Sequence, residues 1–313
     1  MNFQQLRSVR ETVRQGFNLT EVALVLHTSQ PGVSRQIREL EDELGIEIFV
    51  RAGKRLTGLT APGEAVLPII ERLLQDADNL KRAGDDFAAQ GRGVLTIATT
   101  HSQARYALPT AVRDFCATHP QVQLRMHQGS PQQVAEWLLE GEADIGIATQ
   151  YIATYPDLVA LPCYRWTHAV VVPAGHALAA AAEGGSALTL ERLADYPLIT
   201  YEPGYTGRSQ IDEAFAQQGL ALDLVLSAMD ADVIKTYVEL GMGVGIIASI
   251  AYDETRDSAL RAIDAGHLFA TNTTHLGLRR GSYLRDYAYD FIATFAAPLD
   301  RARVDRALAG DTA

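Results

Sequence analysis

Cysteine is almost missing from this chain of 313 residues: Cys116 and Cys163 are the two present. That excludes a disulfide framework and any multi-cysteine metal site. Long apolar runs are missing too, and nothing approaches the ~18–20 residues that a membrane span needs. Arg7, Arg10 and Arg14 stand early in the chain with no apolar stretch among them, so no export signal is read there and a cytoplasmic protein is expected. Basic residues are outnumbered, 27 Lys and Arg against 38 Asp and Glu, for a net charge of −11. As an average, that balance disfavours nucleic acid as a partner.

Catalytic motifs are lacking as well. No Gly-x-Ser-x-Gly elbow or P-loop occurs, and the eight histidines are scattered without zinc-ligand spacing. Gly241-Met242-Gly243-Val244-Gly245 follows a helical pattern and opens a strand, the reverse of a dinucleotide loop. His101 and Ser102 are adjacent, and neighbours in sequence rarely face each other as base and nucleophile. The chain is therefore expected to hold no metal and no cofactor and not to be an enzyme. What is present is ordinary globular material, 47% hydrophobic and 21% charged. At ~150 residues per domain, the length implies two domains or one with a satellite.

The charge average hides an uneven distribution. Residues 1–92 hold 12 basic and 13 acidic groups, so a net −10 belongs to the remainder. Helical periodicity runs to about Phe87, and from Val94 short β-rich runs alternate with amphipathic helices. Gly91-Arg92-Gly93 between them reads as a flexible joint. The expected fold class is α/β, with a small helical module ahead of an α/β body.

Three short helices open the chain. Asn2 and Gln5 form a capping pair ahead of the apolar stripe Phe3, Leu6, Val9, Val13 and Phe17. Asn18 and Glu21 repeat the pair before a helix ending at Leu26. After the turn His27-Thr28-Ser29, Ser29 caps a third helix whose first turn tolerates Pro31. Val33, Ile37, Leu40 and Leu44 give that helix one buried face, Ser34, Arg35 and Arg38 lie opposite, and Gly45 ends it. This is helix-turn-helix spacing, with Arg35 and Arg38 placed for base edges and Thr28, Ser29, Gln30 and Ser34 for phosphates or bases. A hairpin follows, with Arg51, Lys54 and Arg55 at its tip to meet phosphates. The same spacing also fits a small helical domain with a solvated charged face.

From Thr60, read as its cap, a long helix begins with Pro62 in its first turn. Val66, Ile70, Leu73, Ala77, Leu80, Gly84 and Phe87 recur at a heptad spacing that invites self-association. Packing of the same stripe against its own chain is the alternative. Pro68 and Gly84 weaken the helix.

In the body, the strand Val94–Ala98 leads into the polar stretch Thr99–Gln103 and then a helix, whose N-terminus suits a carboxylate or sulfate. A helix ending at Gly141 feeds the strand Asp144–Ala148, and a helix ending at Gly241 feeds Val244–Ala248. This repeated helix–Gly–strand grammar points to two similar lobes with a ligand cleft at the strand ends.

The stretch from Asn2 to Thr60, centred on Thr28-Ser29-Gln30-Pro31-Gly32-Val33-Ser34-Arg35-Gln36-Ile37, resembles the DNA-binding domain of LysR-type transcriptional regulators. Residues 99–109, Gln128-Gly129-Ser130-Pro131, Tyr205-Thr206-Gly207-Arg208-Ser209 and residues 230–238 narrow the resemblance to the CysB group, regulators of sulfur assimilation and cysteine biosynthesis. It extends to about Pro298; residues 299–313 carry no usable motif. The resemblance implies a winged helix-turn-helix over residues 1–59 and a linker and dimerisation helix over 60–92. It further implies a two-lobed α/β effector domain like a type 2 periplasmic binding protein. Lobe I takes residues 93–163 and 268–298, and lobe II takes 164–267, with crossings near Tyr164 and Leu268. Double-stranded DNA, a small effector and a second copy of the chain, as homodimer or homotetramer, are the implied partners.

Carried over residue by residue, the effector pocket falls on Thr100, Ser102, Gln103, Thr149, Trp166 and Glu202. Hydroxyls and an amide suit a small polar ligand such as sulfate, O-acetylserine or N-acetylserine, and Trp166 supplies a wall. Ser102 and Glu202 depart from the family pattern, each standing where threonine is expected. A carboxylate at 202 would repel sulfate and favour a ligand bearing an ammonium group. Regulation of sulfonate or sulfate-ester use, or of another pathway, is the alternative within the class, and a solute-binding protein is the alternative outside it.

Overall fold

The computed structural model describes every residue except Lys54, Gln90, Gly91, Thr206 and 311–313, and the backbone alone at Ala88, Ala89 and Gln150. The expected wing-tip Lys54 and part of the joint at Gly91-Arg92-Gly93 thus lie outside the described residues. Two compact units result, Met1–Ala88 and Ala89–Ala313. No helix among the described residues is long and apolar enough to cross a membrane.

The first unit contains α1 (Phe3–Arg14), α2 (Leu19–Val25), α3 (Gln30–Leu44), the strands β1 (Phe49–Ala52) and β2 (Arg55–Leu59), and α4 (Ala61–Ala89). Asn2 closes a full capping box with Gln5. Asn18 accepts the N–H of Thr20, while Glu21 stays exposed and does not complete a second box. Ser29 caps α3 through the N–H of Gly32, and Gly45 ends it at φ +67°, a left-handed conformation that glycine adopts freely. Leu6, Val9, Val22, Val33, Ile37, Leu40, Ile48 and Phe49 form one core. Phe3 and Leu44, expected on buried stripes, are exposed: each occupies a terminal position of its helix, a turn beyond the core.

Glu41 fastens the wing. Its Oε1 accepts the N–H groups of Ile48 and Phe49 at 2.9 and 3.2 Å, and its Oε2 takes Arg51 Nη2 at 2.6 Å. In α4, Thr60 Oγ1 accepts the N–H of Gly63 at 3.0 Å, and the helix runs on through Pro68 without a break. Its first half packs into the unit's own core through Val66, Leu67, Ile70 and Leu74. Farther along, Leu80 is 77% exposed and Phe87 87% exposed. The heptad stripe is therefore split, half covered by its own chain and half uncovered.

The second unit begins with β3 (Gly93–Thr99), α5 (Leu108–Thr118), β4 (Val122–Gln128), α6 (Pro131–Glu140), β5 (Ile145–Thr149) and β6 (Leu158–Trp166). It continues with β7 (His168–Pro173), α7 (Ala177–Glu183), α8 (Leu190–Ala194), β8 (Leu198–Tyr201), α9 (Arg208–Gln217), β9 (Leu224–Ala228), α10 (Ala231–Glu239) and β10 (Val244–Ala248). It closes with β11 (Leu260–Asp264), β12 (Asn272–Arg279), α11 (Asp286–Phe295) and α12 (Arg301–Ala309). One sheet has the order β4-β3-β5-β12-β6 and the other β11-β7-β10-β8-β9. In each, four strands share one direction and one internal strand, β12 or β7, runs antiparallel to both its neighbours. The chain leaves the first sheet at Trp166, enters the second at His168, and returns between Asp264 and Asn272. Gly141 at φ +77° and Gly241 at φ +74° make the two helix-to-strand turns.

One departure from the expected pattern matters for function. The helix after β3 starts at His101, inside the stretch read as polar loop, and its turn Gln103–Ala107 is π-helical. Such wide turns store an extra residue and gather at functional sites.

Replacing Glu41 by alanine strands two buried N–H groups. Urea denaturation is expected to show about 2–4 kcal/mol lost from the first unit, and less for Glu41→Gln, which keeps an acceptor.

Candidate functional site

The first unit presents α3 as its polar face. Thr28, Gln30, Arg35, Arg38 and Arg55 are exposed, and Ser34 is half-buried. A shallow groove of about 370 Å³ along α3 is lined by Gln30, Pro31, Ser34, Arg35, Arg38 and Asp42, among others. Not every expected contact group is free. Ser29 is occupied as the cap, Arg51 is paired to Glu41, and Arg35 Nε lies 2.7 Å from Glu39 Oε1. Arg38 and Arg55 have no ion pair among the described residues. The exposed Arg35–Glu39 pair is a weak tether that a phosphate or base can replace.

In the second unit, the expected effector residues sit at strand ends. Thr100 follows β3, Thr149 ends β5, Trp166 ends β6 and position 202 follows β8. This placement follows from parallel strands, whose carboxyl ends open onto the crevice. Thr100, Ser102, Gln103, Thr149 and Trp166 are all buried. Gln103 is held on both sides: its Nε2 donates to Thr274 Oγ1 at 3.2 Å, and its Oε1 accepts from the Tyr164 hydroxyl. Thr274 in turn pairs with Thr149 across β5 and β12. These side chains thus gather around β12. Glu202 stands apart: it is half-buried, its backbone bonds Ala228 and Tyr205, and its carboxylate has no hydrogen bond or ion pair among the described residues.

The same π-helical turn that delivers Gln103 also grips the other lobe. Tyr106 Oη donates to Asp232 Oδ1 at 2.7 Å, Arg105 Nε lies 3.0 Å from Asp232 Oδ2, and His101 Nε2 lies 3.2 Å from it. Lys235, one turn along α10, lies 3.4 Å from Asp232 and pairs with Asp257 at 2.9 Å. Its ammonium also stands over the Tyr106 ring at 5.2 Å. Burial alone would raise the Asp232 carboxyl. Hydrogen bonds from Tyr106 and His101, with the charges of Lys235 and Arg105, outweigh it and hold the group below its ordinary 3.8. Burial and the bond to Asp232 push the Tyr106 phenol up. His101, Asp230 and Asp232 bring ligand-type atoms within 4.8 Å of one another. Arg105 and Lys235 already neutralise Asp232, so the cluster is an ion-pair network.

A second group was not singled out from the sequence. His168 and Asn272 are fully buried at the crossings between sheets. His168 Nδ1 and Nε2, Asn272 Nδ2, Trp166 Nε1 and Ser102 Oγ have no hydrogen-bond partner among the described residues. Burial pushes the His168 ring down to about 4, so it is neutral at ordinary pH. The available signal was its position two residues past Trp166, together with Gly207, whose added methyl would sit 2.6 Å from His168 Nε2.

A winged helix-turn-helix head and a two-lobed sensing body, borne on one chain, define a one-component regulator of transcription. The chain belongs to the LysR family of transcriptional regulators: residues 3–64 match the bacterial regulatory helix-turn-helix protein model of the lysR family, and residues 88–299 the LysR substrate binding domain. It is 59% identical to the HTH-type transcriptional regulator SsuR of Burkholderia cenocepacia, over 97% of each chain. It is 54% identical to the regulator CysB of the same organism, over 99% of this chain and 98% of the relative. Among solved structures, the cofactor-binding domain of the Cbl transcriptional regulator matches 69% of this chain and 93% of its own, at 48% identity and a TM-score of 0.65. These relatives are transcriptional regulators and not enzymes, and the helix-turn-helix match sets aside a solute-binding protein.

The neutral, buried His168 gives the protein an acid weakness. The unfolded ring takes up a proton from its ordinary 6.5, the folded one only at about 4. Stability is expected to fall by up to about 3 kcal/mol as the pH drops across that window and to change no further from this cause below it. Urea denaturation at stepped pH should show the slope in wild type and its loss in His168→Phe.

Proposed function

We propose that the protein controls genes of sulfur assimilation or cysteine biosynthesis in the cytoplasm, responding to a small effector of the O-acetylserine, N-acetylserine or sulfate type held between its two lobes. Control of sulfonate or sulfate-ester use is a second reading, and the comparable identities to SsuR and CysB favour both alike. The observation that carries the site is the burial of Thr100, Ser102, Gln103, Thr149 and Trp166 around the carboxyl ends of parallel strands, beside a helix N-terminus. The division proposed is a reading head over residues 1–59, a linker over 60–92, and two lobes; their expected bounds of 93–163 with 268–298 and 164–267 shift to the crossings after Trp166 and before Asn272. The uncovered half of the α4 stripe, Leu80 and Phe87, supports self-association as homodimer or homotetramer, which gives two heads for a two-fold-related site.

The effector biases the lobes between two arrangements and, through the oligomer, the spacing of the DNA-bound heads. Arg35 and Arg38, with Gln30 and Ser34, read the major groove, while Arg55, Lys54, Arg51, Thr28 and Ser29 are assigned to phosphates. In mobility-shift titrations, Arg35→Ala is expected to weaken the specific site and relax sequence preference, by about 1–3 kcal/mol of discrimination. Arg55→Ala is expected to weaken all sequences alike and lower the salt slope by about one. Equal loss on specific and random DNA for both variants would defeat the assignment of α3 as reader.

Glu202 sets the ligand's charge in this reading. Calorimetry is expected to show inorganic sulfate binding roughly tenfold tighter to Glu202→Thr than to wild type. Equal affinities would remove Glu202 from the pocket.

A further inference from the structure

The hinge residues His168, Trp166 and Asn272 have a use that the oxyanion end of the cleft does not require. Their side-chain nitrogens are buried and have no partner among the described residues, and an orphaned donor in a packed interior is a cost that persists only for a reason. Trp166 and Asn272 face each other across β6 and β12. The rings of Trp166 and His168 meet edge to face at 5.4 Å. His168 Nε2 and Asn272 Nδ2 lie 2.6 and 3.1 Å from the point where a Cβ on Gly207 would stand. Gly207, at φ +71°, is the N-cap of α9, so both nitrogens front one spot at the start of a ten-residue helix. A methyl there would collide with the imidazole, so glycine is what lets the start of α9 close onto His168 and Asn272.

The strand register places this cluster relative to the rest of the cleft. Asn272 and Thr274 alternate onto the same face of β12, about 7 Å apart. Thr274 holds Gln103, at the end where Ser102 and the first helical turn after β3 offer donors to an anion. Asn272 marks the other end. Among the described residues, no charged side chain contributes to the hinge cluster. Trp166 and Asn272 donate, and a neutral imidazole supplies one donor and one acceptor. This chemistry suits an uncharged amide, ester or hydroxyl group and gives nothing special to a second anion.

We infer that His168, Asn272 and Trp166 form a second subsite of the effector cleft, which binds an uncharged polar group of a small organic oxyanion whose charged end lies against Ser102 and Gln103. The inference rests on the proposed position of the effector cleft. A single tetrahedral oxyanion such as sulfate reaches only the first end. An acylated amino acid reaches both, and the hinge subsite then contributes the discrimination between them. Sites that hydrogen-bond a polar group reject ligands lacking it, because their own buried donors are left unpaired.

The test is calorimetric titration of the full-length protein with inorganic sulfate and with N-acetylserine. Wild type is expected to bind N-acetylserine more tightly. His168→Phe keeps the ring and removes both nitrogens, and Asn272→Leu keeps the volume and removes the amide. Each is expected to lose roughly tenfold or more for N-acetylserine while sulfate affinity stays within about twofold. N-acetylserine binding unchanged in both variants, or both ligands weakened equally, would overturn the subsite. Thermal melting by circular dichroism shows which variants fold, and if His168→Phe does not, Asn272→Leu decides alone. Ser102→Ala reports separately on the cleft: it should weaken both ligands. Binding of both ligands unmoved by Ser102→Ala, or neither ligand bound by wild type, would defeat the position of the cleft itself and with it the subsite.

Discussion

The sensor body is fastened across its cleft through one carboxylate. Asp232 receives the Tyr106 hydroxyl, the Arg105 guanidinium and the His101 ring from the segment after β3, and Lys235 from its own helix. Partial burial makes these charge-assisted bonds stronger than they would be in open solvent. The segment that supplies them also carries Gln103, whose amide is fixed by Thr274 and Tyr164. The proposed ligand contact and the lobe contact therefore share one turn of helix, and that turn is π-helical. Within that turn Gln103 bonds Thr274 and Tyr164, and Tyr106 bonds Asp232 of α10. A ligand that shifts Gln103 must also load the grip on Asp232, which makes a two-arrangement sensor physically direct.

Neutral groups dominate the cleft interior. Ser102, Gln103, Thr149, Thr274, Trp166, His168 and Asn272 are buried without formal charge. Burying an unpaired ion is far more costly than burying a hydroxyl or an amide. A ligand-binding interior that must remain folded without its ligand is thus better built from dipoles, with the charge kept on the ligand. The charged pairs lie outside that interior: Lys235 meets Asp257 deep under α10, and Asp232 lies at the cleft edge, half-exposed.

The head follows another economy. Three side-chain caps start α1, α2 and α3, and Glu41 ties the wing to α3 through two backbone N–H groups and Arg51. Its near-neutral total charge leaves Arg35, Arg38 and Arg55 exposed on one unit, while the acidity resides in the sensor. The average of −11 described the sensor and was nearly silent on the reader.

Local chemistry was legible in the sequence. The caps Asn2 and Ser29, the stops at Gly45, Gly141 and Gly241, and the helix–Gly–strand turns all act within a few residues of themselves, so spacing alone reveals them. Periodicity likewise exposed the α4 stripe but could not say which half would be covered, because Ile70 and Leu74 join a core built from the three preceding helices and the wing. The π turn escaped notice for a related reason: no residue type demands it, and packing against α10 is what the turn accommodates. Asp232, His168 and Asn272 escaped as well. His168 is one more polar residue in an apolar run until Gly207 and Asn272 arrive beside it from 39 and 104 residues downstream. Sequence determined which elements form and where they stop, because those choices are local. Which polar atoms face a common space was decided only by the crossings of the chain between two sheets, because that proximity exists nowhere along the chain itself.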